Sequence, residues 1–243
     1  MNQVFVAGVD GCPAGWMTAL LPLEGDGLRL SVVPRFADVL AAAEAPAVVA
    51  VDMPVGLPAR IGPAGRGPEA AVRPLLGARR SSVFSVPSRR AVYEEDYRAA
   101  CAIAHETSAP PRMMSKQLFH IAAKIREVDT ALRADRPAAR RVFEVHPEVA
   151  FWRLNGGRAL DLPKKVKSRP CGPGLALRRD LLVAAGIPAA VIDAGPPAGA
   201  AADDLLDALA CALIARRIRR GLARPFPDPP LADEFGLAIA IWA

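Results

Sequence analysis

The sequence predicts an α/β protein built on a mostly parallel sheet with an antiparallel start, and three observations carry that prediction. Short runs of β type alternate with longer stretches of helical spacing. The first three runs are joined by tight turn sequences, GCPAG and EGDG, as in an antiparallel meander. The run at residues 47–51, AVVAV, is continuously apolar, as a parallel strand covered on both faces should be. The composition agrees: 52% of the 243 residues are hydrophobic and only 5% aromatic, which suits alanine-faced helices on a valine-rich sheet. A chain of this length buries roughly 70–75% of its unfolded surface, enough for an ordinary core.

Element by element, residues 3–9 read as a buried strand, and 16–23 and 28–33 as the next two. Helical spacing over 35–45 precedes the apolar strand 47–51, which ends at Asp52. A Gly- and Pro-rich excursion follows, then a basic segment at 78–90 and helices expected at 93–106 and 115–134. A strand at 141–146 stops at Pro147, with a short helix after it. Residues 161–174 read as a basic Pro/Gly loop, 175–185 as a helix, 203–219 as a strong helix and the tail FGLAIAIW as a short strand. There is no internal repeat and no clear linker, so the expectation is one domain over 1–243 with an insertion at about 56–140.

Several classes are set aside by composition. No apolar run approaches the roughly 20 residues needed to cross a bilayer. The opening MNQVFVAGVDG lacks the basic and long apolar regions of a signal peptide, so a cytoplasmic location is expected, with no membrane partner. Cys12, Cys101, Cys171 and Cys211 form no CxxC pair, which points to reduced thiols rather than zinc or disulfides. The net charge of +6 rests on 31 Lys and Arg, nearly all Arg. Such a balance favours anionic partners such as nucleic acid or phosphorylated metabolites, although it also reads as a bias toward Arg and Ala.

The chemistry lies in the acids. Asp10, Asp52 and Glu144 each sit at or near the C-terminal end of an expected strand, the edge where open α/β sheets bind ligands. If the strands of Asp10 and Asp52 are parallel neighbours, the two carboxylates lie close, and a divalent cation relieves their repulsion. On the helix AADDLLDALACALIARR, Asp207 shares a face with Asp204 and with Asp203, followed by apolar residues that turn it inward. Asp203 is expected to cap that helix, and Glu144 has a plainer reading as the partner of a nearby Arg.

These motifs resemble a known family. GVDGCPAGW, VDMPVGLP, RRSSVFSVPSR, SKQLFHIAAKIREVD, FEVHPEVAFWRLNG and DDLLDALACA, in that order, are similar to an uncharacterised family of predicted RNase H-like nucleases, domain-of-unknown-function family 429. The resemblance implies a ribonuclease H-like mixed sheet: three antiparallel strands, a helix, then strands parallel to the first, with the first and fourth adjacent. It implies that Asp10 and Asp52 are metal-binding acids. The segment DALA resembles the last motif of Holliday junction resolvases, which makes Asp207 a third ligand and Asp204 its neighbour. The implied activity is phosphodiester hydrolysis in nucleic acid with Mg²⁺ or Mn²⁺, with Asp10, Asp52, Glu144 and Asp207 as catalytic acids.

Phosphate contact is expected from Arg79, Arg80, Ser81, Ser82 and Arg89, with Arg90 beside them, because Arg forks and Ser hydroxyls grip a backbone without reading its sequence. Lys116 and Lys124, with His120 between them on one helical face, are further candidates. His146 is another, against a plainer structural role before Pro147. The run Lys164, Lys165, Lys167 and Arg169 reads as a solvated charge run. Two other classes remain open: a small-molecule phosphotransferase or phosphohydrolase of the actin-like ATPase type, and a non-catalytic nucleic-acid-binding protein on the same scaffold. Neither a GxxxxGK[ST] loop nor a GxGxxG fingerprint is present.

Overall fold

The computed structural model describes residues 3–167 and 169–243. Met1 and Asn2, and Ser168 of the loop expected at 161–174, lie outside them. Strands β1 (Phe5–Cys12), β2 (Gly15–Pro22) and β3 (Arg29–Val33) form the expected antiparallel meander. Helix α1 (Phe36–Leu40) leads to β4 (Val49–Val51), which lies parallel to β1. Between β4 and β5 (Val142–Glu144) the chain makes α2 (Pro68–Val72), a 3₁₀ run over Arg73–Ser82, then α3 (Arg89–Tyr93), α4 (Tyr97–Glu106), α5 (Lys116–Ala134) and α6 (Arg136–Ala139). After β5 come α7 (Pro147–Leu154), a small hairpin of β6 (Lys165–Val166) and β7 (Arg169–Pro170), α8 (Gly172–Ala184), α9 (Ala189–Asp193) and α10 (Ala202–Arg219). Strands β8 (Pro225–Ala232) and β9 (Ala238–Trp242) close the chain. The seven-stranded sheet has the order β3-β2-β1-β4-β5-β9-β8, with β4 parallel to β1, β5 to β4 and β9 to β5.

Three local expectations are corrected. The helix expected over 93–106 begins only at Tyr97, because Asp96 caps it by accepting from the Ala99 N–H at 2.8 Å, and the separate α3 ends at Tyr93. The helix expected over 35–45 ends at Leu40. The proline-rich PFPDPPLA, read as no element, is β8. It lies at the sheet edge, where a residue without an N–H costs no ladder bond on the outer side.

Two helical layers cover the sheet, and strand alternation sorts residues between them. Phe5, Ala7 and Val9 of β1, with Val49 and Val51 of β4, pack against Ala100 of α4 and Leu118 and Ile125 of α5. Val6, Met17, Ala19 and Ala50 face the other way, against Ala208, Leu209 and Ala212 of α10. Helix α10 is buried at every position from Asp203 to Ala215, because the sheet lies on one side of it and α7 and α8 on the other. Among the described residues no helix is long and apolar enough to cross a membrane, and all four cysteines are free thiols.

Candidate metal centre

The site follows from strand register and one glycine. Val9 of β1 pairs with Val51 of β4, and the Asp52 N–H donates to the Val9 carbonyl at 2.9 Å. The next residue on each strand, Asp10 and Asp52, therefore emerges at the C-terminal edge on the face that α10 covers. Gly8, two residues before Asp10, lets the helix lie directly on β1. A Cβ there would meet the Ala208 carbonyl oxygen at 2.0 Å and the Ala212 nitrogen at 2.1 Å, both main-chain atoms. That contact sets Asp207 beside Asp10. One carboxylate oxygen from each of Asp10, Asp52 and Asp207 lies within 4.8 Å of the others, so the triad, buried at Asp10 and Asp207 and half-buried at Asp52, can hold a metal ion.

Burial first, and then neighbouring carboxylates, hold all three carboxyls above their usual range. Desolvation raises Asp10 well above it, and the charges of Asp52 and Asp207 push it further. Desolvation and then Asp207 raise Asp52 to about 7. Asp207, 1% exposed, is raised by burial against the pull of Lys164. Its Oδ2 accepts from the Lys164 ammonium, while its buried Oδ1 has no hydrogen-bond partner. Asp10 and Asp52, with Lys164, border a cavity of about 420 Å³ at the C-terminal ends of β1, β4 and β5.

Glu144, His146 and Asp204 line the same cavity but lie outside the triad, each held by other partners. Glu144 pairs in register with Val51, so it points to the sheet face opposite Asp52. There it accepts from Arg66 at 2.6 Å and from the Val55 N–H at 2.9 Å, and Arg66 also binds Glu69 at 2.9 Å. The plain reading of Glu144 as an arginine's partner is the one observed. Asp204, expected beside the metal, instead accepts from the Ala201 N–H at 2.8 Å and answers the start of α10. Asp203, expected as the cap, pairs with Lys165 at 2.5 Å. His146 caps α7 through Nδ1, which accepts from the Glu148 N–H. Its Nε2–H therefore points at the Ser82 carbonyl, and burial keeps the ring below its usual pKa.

The basic candidates divide. Ser82 lines the cavity and donates to the Arg79 carbonyl at 2.7 Å. Arg80 and Ser81 are exposed and Arg79 is half-buried, none of them on the cavity wall. Arg89 is taken by structure: it pairs with Asp233 at 2.6 Å and Asp129 at 3.0 Å, and stacks on Phe235. Lys124 lies on the layer opposite α10, donating to the Gly15 carbonyl at 2.6 Å over the Trp16 ring. Lys116 is exposed beside Tyr97. Of these residues Ser82 shares the cavity with Asp10 and Asp52, and Arg79, Arg80, Ser81, Arg89, Lys116 and Lys124 do not line it.

Two residues at the site escape sequence reasoning. Lys164 is no solvated charge: desolvation pulls its ammonium down, but Asp207, Asp10 and Asp52 outweigh that and hold it above its ordinary value. Glu148, at the first turn of α7, lines the cavity with Oε1 held by Arg178 at 2.5 Å and Oε2 buried without a partner. Its only signal was a charge two residues beyond His146.

Fold and site together define an α/β protein with a buried carboxylate triad able to bind metal. The family described as "Protein of unknown function (DUF429)" matches residues 8–232, and the chain belongs to it. No curated protein and no solved structure matches the chain.

Proposed function

We propose that this protein is a divalent-metal-dependent nuclease on a ribonuclease H-like scaffold, hydrolysing phosphodiester bonds of nucleic acid in the cytoplasm. The order β3-β2-β1-β4-β5, antiparallel through three strands and then parallel, supports the scaffold that the sequence resemblance implies. On this reading 1–243 is one domain, and 56–140 is the insertion between β4 and β5. The observation that carries the proposal is the convergence of Asp10, Asp52 and Asp207 on one point.

The residues fit such an ion. All three donors are oxygens, which hard cations such as Mg²⁺ and Mn²⁺ prefer. A buried acceptor left unmade costs about 1–3 kcal/mol, and Asp207 Oδ1 is one. Asp10, Asp52 and Asp207 would hold the ion. When bound, it supplies an acidified water and Lewis-acid stabilisation of charge developing on the phosphate.

The remaining work falls to this chain's own groups. Glu148, fixed by Arg178 through one oxygen, offers its second oxygen as an acceptor that can orient a water. Ser82 lies on the cavity wall with its hydroxyl proton held by the Arg79 carbonyl. The net charge of +6 favours a polyanion over a neutral substrate.

The test is incubation with labelled single-stranded, duplex, hybrid and branched nucleic acids plus Mn²⁺, beside Asp52→Asn. Cleavage by the parent but not by the variant is expected. Metal-dependent ATP turnover without cleavage would replace the proposal with a phosphohydrolase, and tight metal-independent binding with a non-catalytic role.

A further inference from the structure

The Lys164 ammonium is bonded to Asp207 Oδ2 and lies within the field of Asp10 and Asp52, so it sits where a cation among the three carboxylates belongs. Its backbone is pinned. Arg178 donates to the Leu162 carbonyl at 3.0 Å and the Gly174 carbonyl at 2.8 Å. Gly174 presses on the chain so closely that a Cβ there would lie 1.8 Å from the Pro163 carbonyl oxygen. The Cys171 N–H closes the hairpin onto the Lys164 carbonyl at 2.9 Å, and Lys165 is tied to Asp203. The four-carbon stem of Lys164 is the part left free to turn, and its side chain is 31% exposed on the cavity side.

Resting on the metal-centre reading, we propose that Lys164 is a built-in counter-ion: its ammonium occupies the cation position, leaves it when a divalent ion enters, and then holds a phosphate oxygen of the substrate at the cavity mouth. Once Asp10 and Asp52 have shed the protons that burial lets them hold, one positive charge against three carboxylates leaves the cluster under-neutralised, so a divalent ion wins the position. Both cations cannot share it, since like charges a few ångströms apart in a poorly solvated site repel strongly. An ammonium is a compact point charge on a flexible stem, suited to moving between carboxylate and phosphate. The exchange orders events: the phosphate-holding charge becomes available once the ion is in place.

Mn²⁺ titration followed by electron paramagnetic resonance, without substrate, tests this on wild type, Lys164→Met and Lys164→Arg. Lys164→Met is expected to bind Mn²⁺ several-fold more tightly, having no ammonium to expel, while Lys164→Arg gains nothing. With Ca²⁺ as a non-catalytic ion, Lys164→Met should bind a labelled oligonucleotide several-fold more weakly by fluorescence anisotropy. Unchanged or weaker Mn²⁺ affinity in Lys164→Met, with wild type binding normally, overturns the counter-ion and leaves the metal centre standing. Absence of Mn²⁺ binding in both proteins overturns both readings.

Discussion

Replacing Asp52 with Asn should stabilise the metal-free protein above neutral pH and abolish its response to metal. The native carboxyl titrates at about 7 against an ordinary 3.8, raised first by desolvation and then by Asp207. A difference of roughly three units, at about 1.36 kcal/mol each, is about 4 kcal/mol for a fully desolvated group. Asp52 is half-buried, so solvent on its cavity side roughly halves this to about 2 kcal/mol. Between about pH 4 and pH 7 the native state holds a proton that the unfolded chain has lost, so stability falls as pH rises through that window. Asn is nearly isosteric and carries no charge. The variant should converge on wild type as pH falls below about 4 and exceed it by about 2 kcal/mol near pH 8 in EDTA, roughly 4–8 °C in Tm for a chain of this size. Urea unfolding at both pH values, with EDTA and then with Mn²⁺, measures it. A variant less stable than wild type near pH 8 in EDTA would mean that Asp52 is well satisfied as an anion, and the reasoning would fail.

Wild-type stabilisation by Mn²⁺ should grow as pH rises toward and past about 7, because the protons held by Asp10 and Asp52 must leave before the ion binds. At a hundredfold excess over Kd the gain is about 2.7 kcal/mol, and a thermal shift independent of pH would contradict it. Glu144→Ala strips Arg66 of one of its two carboxylates in the interior and should cost roughly 3–5 kcal/mol in urea unfolding. Mn²⁺ affinity of the folded protein should stay near wild type, and a large loss would return Glu144 to the metal site. Gly8→Ala drives a methyl group into the α10 backbone and should cost about 1–3 kcal/mol or more. By moving Asp207 from Asp10 it should also weaken Mn²⁺ binding more than stability alone explains, which calorimetric titration can read.

Much of the site was legible because it is written in local pattern. Asp10 follows a buried apolar strand, Asp52 ends AVVAV, and Asp207 opens a long apolar helix face, so the placement of each needs only its own segment. The convergence of Asp10 and Asp52 followed from the parallel pairing of β1 with β4, an adjacency that the family resemblance implied. Glu144 reaches the cavity as a strand-end acid should, but strand-end position is not facing: one step of the pleat turns its carboxylate to Arg66, 78 residues away. Arg89 looked free beside Arg90 until Asp233, 144 residues on, claimed it.

The sequence by itself determined the α/β class, the meander and its parallel continuation, the family, and the three aspartates as a possible metal triad. Periodicity, turn residues and motif order are properties of short stretches, and they survive in the one-dimensional text. Only the tertiary structure decided which charges meet. Lys164 reaches Asp207 across 43 residues, the first carboxylate oxygen of Glu148 is taken by Arg178 across 30, and proline-rich β8 finds an edge where its missing donors cost little. Pairing energies of this kind depend on burial and on distance in space, and neither quantity is encoded by a residue's neighbours along the chain.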